Sequence, residues 1–318
     1  MNGPGRKRRM LIIVNPYATT VSDRLKNLVI YALQGRYEVE VEATEKQEHA
    51  TEIGRDAVDG GYDIVVAFGG DGTVNEVANG LAGTDIPVTF LPGGNTNVVC
   101  RTLGIPNDVV DATEHLLALA DDFRPRKIDL GRINDRYFVF SCGAGIDATV
   151  VERVDANPKL KATAGPWFYT WSALSGYMRK YRRDPVRLRV EVDGGEPHEG
   201  VTALSQNSDP FTYFGSRPVH VCENVAIDDG TLGMVLLKRA NQLDILGVIP
   251  RLLSSRLSAA GHGQVETFER FAEATISSVS TDGSGRARTF PAQVDGDYIG
   301  TFERVTLSAA PGALTIVA

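Results

Sequence analysis

The first 130 positions alternate between unbroken apolar runs and apolar residues at helical spacing. Residues 10–14 (Met-Leu-Ile-Ile-Val) and 64–68 (Ile-Val-Val-Ala-Phe) are continuous apolar runs, the pattern of strands buried on both faces. Leu25, Leu28, Val29 and Ala32 predict a helix over 22–33 with Ser22 as N-cap. Val39 and Val41 alternate with glutamates over 37–43, as in a strand, and 51–59 reads as a helix closed by Gly60 and Gly61. After 64–68, Val74, Val77, Ala78 and Leu81 fall on one helical face behind Thr73. A strand at 88–91 and a helix at 111–120 complete a repeated β-α-β order, which implies a parallel sheet with helices on both faces.

The pattern changes near Arg132. Residues 136–142 read as a strand, and Val186, Leu188, Val190 and Val192 alternate with polar residues up to an Asp193-Gly194 turn. Further short strands are predicted at 202–206, 232–237, 274–279, 290–294 and 305–307, so the second half is mainly antiparallel β, a sandwich. The expected domains are 1–131 and 132–305, with the apolar segment from about 306 to 318 a candidate to return to the first. A chain of 318 residues has material for two cores.

Charge and cysteine usage narrow the class. A net charge of −7 argues against a general nucleic-acid binder. Cys100, Cys142 and Cys222 are widely spaced with no C-x-x-C pair, which supports neither a zinc cage nor a disulfide framework and suits a reducing cytoplasm. The basic start 6–9 before apolar 11–14 is too short for a signal peptide and stops at Asn15-Pro16; no apolar run is long enough to span a membrane. The five histidines show no metal-ligand spacing.

The candidate chemistry lies where strands end. Residues 69–75, Gly-Gly-Asp-Gly-Thr-Val-Asn, follow a buried strand and open a helix. Such a turn brings backbone N–H groups and a helix N-terminus to a phosphate. Gly69, Gly70 and Gly72 can take positive φ and have no Cβ to block the ligand. Asp71 places a carboxylate where a magnesium ion or a ribose would sit. The alternative is a tight structural turn. A second loop at 92–97, Pro-Gly-Gly-Asn-Thr-Asn, also follows a strand, and Asn15-Pro16 follows the first. Loops at the carboxyl ends of parallel strands converge on one crevice.

These segments, with Asp228-Asp229-Gly230 and Asp295-Gly296-Asp297 in that order, resemble the diacylglycerol kinase catalytic-domain family, which includes bacterial lipid kinases and sphingosine and ceramide kinases. The resemblance spans nearly the whole chain. It implies a Rossmann-like three-layer α/β nucleotide-binding domain and a mainly antiparallel β-sandwich, with ATP and substrate in the cleft between. It also implies ATP contacts from Asn15, Pro16, Thr44, Gly69, Gly70, Asp71, Gly72, Thr73, Asn75, Glu76, Gly94, Asn95 and Thr96. Where family loops read Gly-Thr-x-Asn-Asp, this chain has Gly94-Asn95-Thr96-Asn97-Val98, without the acid; after Asn-Pro it has Tyr17-Ala18-Thr19.

The resemblance further implies a structural magnesium held by the Asp229 carboxylate with the carbonyls of Ala226 and Thr231, although Asp-Gly is equally a hairpin turn. Asp71 is placed in the catalytic set. One acid of Asp295 and Asp297 would take the proton of the attacking hydroxyl; the family glutamate falls at Asp297, and the sequence leaves open which acts. Residues 159–189 hold eight basic residues and a single acid, Asp184, with Trp167 and Trp171, a composition suited to an anionic bilayer. The expected function is transfer of the γ-phosphoryl group of Mg-ATP to a lipid hydroxyl, diacylglycerol first. The protein would sit at the cytoplasmic face of the membrane, with a homodimer implied by relatives alone. The alternatives are an NAD kinase and a non-catalytic nucleotide sensor.

Overall fold

The computed structural model describes residues 6–18, 22–145, 185–239 and 259–318, with isolated positions between 240 and 258. The basic, aromatic segment singled out above lies largely outside these residues. Its described members Arg187 and Arg189 both pair with Glu199, at 3.1 and 3.5 Å. The chain divides into two compact units, Met1–Leu130 with Pro311–Ala318, and Gly131–Ala310.

In the first unit, β1 (Arg9–Val14), β2 (Glu38–Ala43), β3 (Ile64–Gly69) and β4 (Val88–Pro92) form a parallel sheet in the order β2-β1-β3-β4. The last strand, β18 (Arg304–Ile316), places Ile316 beside Val88 in parallel. β1, β3 and β4 are buried along nearly their whole length, which is why they read as unbroken apolar runs. β2 is the edge; its glutamates face water and blunt it.

The helices are α1 (Asp23–Gln34), α2 (His49–Asp56), α3 (Asp71–Leu81), α4 (Val98–Thr102) and α5 (Val109–Leu119). They associate as two pairs, α1 with α5 and α2 with α3. Val74, Val77, Ala78 and Leu81 of α3 are buried as their spacing requires. α2 and α3 cross at glycines: a Cβ on Gly80 would lie 3.0 Å from the Gly54 Cα and 2.7 Å from the Thr51 carbonyl oxygen. Ser22 caps α1 by accepting the Leu25 N–H, and Asp108 caps α5 by accepting those of Val110 and Asp111.

The second unit is a β-sandwich. One sheet runs β14-β13-β10-β7-β16-β17, from β7 (Ser141–Gly145), β10 (Thr202–Gln206), β13 (Leu232–Leu237), β14 (Val265–Phe271), β16 (Phe290–Val294) and β17 (Asp297–Phe302), all pairings antiparallel. The other contains the first part of β18 beside β15 (Glu273–Ser278), then β8 (Leu188–Val192) and β9 (His198–Gly200). Leu188, Val190, Ala274, Ile276, Val305 and Leu307 from this sheet meet Ala203, Met234, Leu236, Phe290, Ala292 and Val294 from the other in a single core.

One expected strand is broken. Residues 136–142 form not one strand but β6 (Arg136–Phe138), paired with β5 (Arg126–Ile133), and then β7. The interruption at Val139 and Phe140 arises because their N–H groups leave the ladder for the carboxylate of Asp295.

Candidate active site

In the first unit three loops meet at the carboxyl ends of β1, β3 and β4. The Asn15 N–H donates to the Phe68 carbonyl at 3.0 Å, its Nδ2 to Thr73 Oγ1 at 3.2 Å, and its Oδ1 accepts the Tyr17 N–H at 2.9 Å. One side chain thus ties the loop after β1 to the first turn of α3. The Gly93 N–H donates to the Gly69 carbonyl at 2.9 Å.

The glycines work by their missing side chains, and the left-handed backbone open to them is not used. Neither Gly69, Gly70 nor Gly72 is among the positive-φ residues, and Gly70 has φ −85°. A Cβ on Gly94 would come within 2.9 Å of the Gly70 Cα, and one on Gly69 within 2.4 Å of Thr73 Oγ1. The two glycine loops lie against each other at backbone distance, so a side chain on either would part them.

α3 begins at this junction with Gly70 as N-cap and no side-chain cap. Its leading N–H groups therefore carry the helix's positive end without the polar side chain that covers α1 and α5. Asp71 sits in the first turn, partly exposed. Its charge, after burial itself, helps push the Cys100 thiol up to about 12, so that thiol is neutral at ordinary pH.

The second loop is braced by Asn97, which sequence reasoning left out of the site. Asn97 is 4% exposed, left-handed at φ 48°, and stands just before α4 without capping it; its Oδ1 accepts the Gly94 N–H, while its Nδ2 donates to the Gly94 carbonyl and to Asn107 Oδ1. The available signal was an asparagine in a glycine-rich loop, a residue that tolerates the left-handed backbone. The bracing leaves Asn95 exposed and Thr96 partly so.

The remaining nucleotide candidates divide. Pro16 is exposed in the first loop, and its carbonyl accepts Lys26 Nζ. Thr44 is buried beside the end of β1, its N–H donating to the Val14 carbonyl. Asn75 is wholly buried and accepts from Asn79 Nδ2. Glu76 turns away from the glycine loop: its two oxygens accept the N–H groups of Glu48 and Ala50, capping α2 from the neighbouring helix.

In the second unit, Asp295 and Asp297 flank Gly296 in the turn joining β16 to β17, where Val294 pairs with Asp297. Asp295 and Gly296 both have positive φ, 47° and 87°. Asp295 is 5% exposed, and its carboxylate accepts the N–H groups of Val139 (2.7 Å), Phe140 (3.0 Å) and Ser141 (2.9 Å). Asn207 holds the same stretch from the other side, donating to the Val139 carbonyl through Nδ2 and to the Phe140 carbonyl through its N–H. Asp297 is half-buried at the start of β17.

The expected magnesium ligands lie in a turn. Asp229 Oδ2 accepts the Ala226 N–H at 3.1 Å, and Oδ1 accepts the N–H and hydroxyl of Thr231 at 3.0 and 2.7 Å. The Ala226 carbonyl takes the Asp229 N–H, and the Arg270 guanidinium lies 3.8 Å from Oδ2. These are the bonds of a closed turn, with the Arg270 guanidinium at its edge. Among the described residues there is also no cluster of three or more His, Cys, Asp or Glu suited to a metal.

Comparison with known proteins agrees with this layout. Residues 9–133 match the family model of the diacylglycerol kinase catalytic domain, and residues 141–318 that of the YegS C-terminal NAD kinase beta sandwich-like domain. A diacylglycerol kinase of Staphylococcus aureus (strain bovine RF122 / ET3-1) is 30% identical over 306 residues, covering 92% of this chain and 87% of that protein. The corresponding protein of strain JH9 is 29% identical over 304 residues. In fold, the chain resembles the crystal structure of a diacylglycerol kinase from Bacillus anthracis, with a TM-score of 0.70, 20% identity, and coverage of 98% of this chain and 96% of that one.

Proposed function

The chain belongs to the diacylglycerol kinase catalytic-domain family, as a lipid kinase, and on that footing we propose that it passes the γ-phosphoryl group of ATP to the hydroxyl of diacylglycerol, giving phosphatidic acid and ADP. The supporting observation is the uncapped start of α3, set where two glycine loops touch at backbone distance. The N–H groups there receive the phosphates, with Asn95 and Thr96 on the facing loop and Asn15 fixing the geometry through Thr73. The magnesium is the one that travels with ATP; Asp71 is the carboxylate placed to meet it.

Phosphoryl transfer asks mainly for positioning and charge stabilisation. The acceptor oxygen forms a bond to the γ-phosphorus as the bond to the bridging oxygen breaks, and the hydroxyl proton passes to a carboxylate. We assign that carboxylate to Asp297. Asp295 spends its oxygens on three backbone N–H groups and is almost wholly buried, so it serves as the anchor of the turn that presents Asp297. Membrane association belongs to this reading through the lipid substrate. Among the described residues no helix is long and apolar enough to cross a bilayer.

The test is incubation with γ-labelled ATP and magnesium, with either diacylglycerol vesicles or NAD as acceptor. The proposal expects label in a chloroform-soluble product. Label in NADP alone would move the acceptor to a soluble dinucleotide, and ATP binding without either product would make the chain a nucleotide sensor.

A further inference from the structure

The loops that meet at the carboxyl ends of β1, β3 and β4 carry almost no charge of their own. Residues 15–18, 69–75 and 92–97 include no lysine or arginine, and their single charged residue is an acid, Asp71. A nucleoside triphosphate brings several negative charges to such a junction. Backbone N–H groups and the positive end of α3 answer part of that charge. A cation fastened to the loops would answer more of it.

Lys26 is such a cation. It lies in α1 and is 6% exposed. Its Nζ donates to the Pro16 carbonyl at 2.9 Å. The loop it holds touches both glycine loops. Asn15 reaches Thr73 in the first turn of α3, and Ala18 lies against the second loop, where a Cβ on Gly93 would come within 3.1 Å of the Ala18 Cβ.

The charge on Lys26 is poorly compensated. Its acid partner is Asp23, one turn earlier in α1, at 3.6 Å; that side chain is 92% exposed against 7% for the lysine. A carboxylate so well solvated does little for a buried cation. The Pro16 carbonyl meets only one of the three ammonium donors. Lysine is seldom buried without a close partner, because desolvation costs more than one such bond returns. An unbranched apolar side chain of similar length would fill the same space without that cost. A charge kept against stability beside an anion-binding turn points to a ligand that completes its pairing.

We propose that Lys26 is the fixed cation of the nucleotide site, a positioning residue that holds residues 15–18 through Pro16 and whose charge is balanced by the phosphates of the bound nucleotide. The proposal rests on the nucleotide reading of the glycine loops. Its test is calorimetric titration of the full chain with ATP and with ADP, each at saturating magnesium, together with melting curves and steady-state kinetics. Lys26→Met should weaken ATP binding roughly tenfold and ADP binding by less, because the ADP complex carries one negative charge fewer. Its Tm should stay level or rise, and the kinetic loss should fall on KM for ATP with kcat nearly kept. Lys26→Gln keeps a donor for the Pro16 carbonyl but no charge, and should show the same graded loss. Lys7→Met removes an equal charge just before β1, where Lys7 donates to the Gln34 carbonyl, and should leave both affinities unchanged. ATP affinity at the wild-type level in Lys26→Met or in Lys26→Gln would overturn the proposal. So would an equal loss for ATP and ADP accompanied by a lower Tm, the mark of a merely structural lysine, or a matching loss in Lys7→Met. A wild type that binds ATP but phosphorylates no lipid would defeat the kinase reading and leave this one standing, whereas a wild type that binds neither nucleotide would defeat both.

Discussion

Replacing Asp295 by Asn separates an anchor from a base. The substitution keeps the shape of the side chain, and asparagine tolerates the left-handed backbone that Asp295 adopts at φ 47°, so little strain is added. What changes is hydrogen-bond capacity. In the native protein Oδ1 accepts Phe140 and Ser141 while Oδ2 accepts Val139. An amide keeps one oxygen for the first pair and turns an NH2 toward the Val139 N–H, setting donor against donor. One charge-assisted bond is lost, two become neutral, and a buried N–H is left without its acceptor, which together cost about 3 kcal/mol. For a unit of this size, that lowers its Tm by roughly 6–12 °C. Scanning calorimetry measures the shift, with Asp297→Asn, a change at a half-exposed position, as the control that should leave Tm higher than Asp295→Asn does. An Asp295→Asn protein that melts normally yet transfers no phosphate would refute the reasoning and make Asp295 the proton acceptor.

Asp297→Asn should cut turnover sharply while leaving ATP affinity nearly unchanged; steady-state kinetics check this, and a normal rate would remove Asp297 from the chemistry. Asp71→Ala should abolish transfer and weaken Mg-ATP binding in calorimetric titration. Gly94→Ala should push the two glycine loops apart, because its Cβ would lie 2.9 Å from the Gly70 Cα, and should raise KM for ATP. Burial holds the Cys100 and Cys222 thiols up at about 12, above their ordinary 9, so they stay protonated at pH 8. The native protein should then react slowly with a thiol reagent and yield all three cysteines only in denaturant. Between pH 9 and 12 the unfolded chain loses these protons before the folded one does, and stability should fall with rising pH, as alkaline melting curves would record.

The fold class was legible because the core strands of each unit announce themselves. β1 and β3 are continuous apolar runs, β13 runs apolar over its length, and β16 is apolar but for Gln293. Strands at the margins were not. β14 and β17 are half-exposed, and their mixed polar sequences give neither a clean alternation nor an apolar run. The break between β6 and β7 was hidden for a different reason: its cause is a carboxylate over 150 positions away in sequence.

At the candidate site, the glycine loops and their asparagines could be located from the chain, but not the work each residue does. Spacing could not reveal that Gly94 is needed to clear Gly70, that Glu76 serves α2, or that Asp229 closes its own turn. Each of these is a contact made across the fold or a hydrogen bond whose direction the sequence does not encode. Asp295 and Asp297 look equivalent on paper. Burial and three N–H donors distinguish them.

The central claim is that backbone amides at the start of α3 hold the phosphates of the nucleotide. A crystal structure with Mg-ADP tests it most directly. The account predicts the β-phosphate within hydrogen-bond distance of the N–H groups at residues 71–73, with Asp71 facing the magnesium. A nucleotide bound away from that turn, with the α3 N-terminus covered by protein side chains, would contradict it.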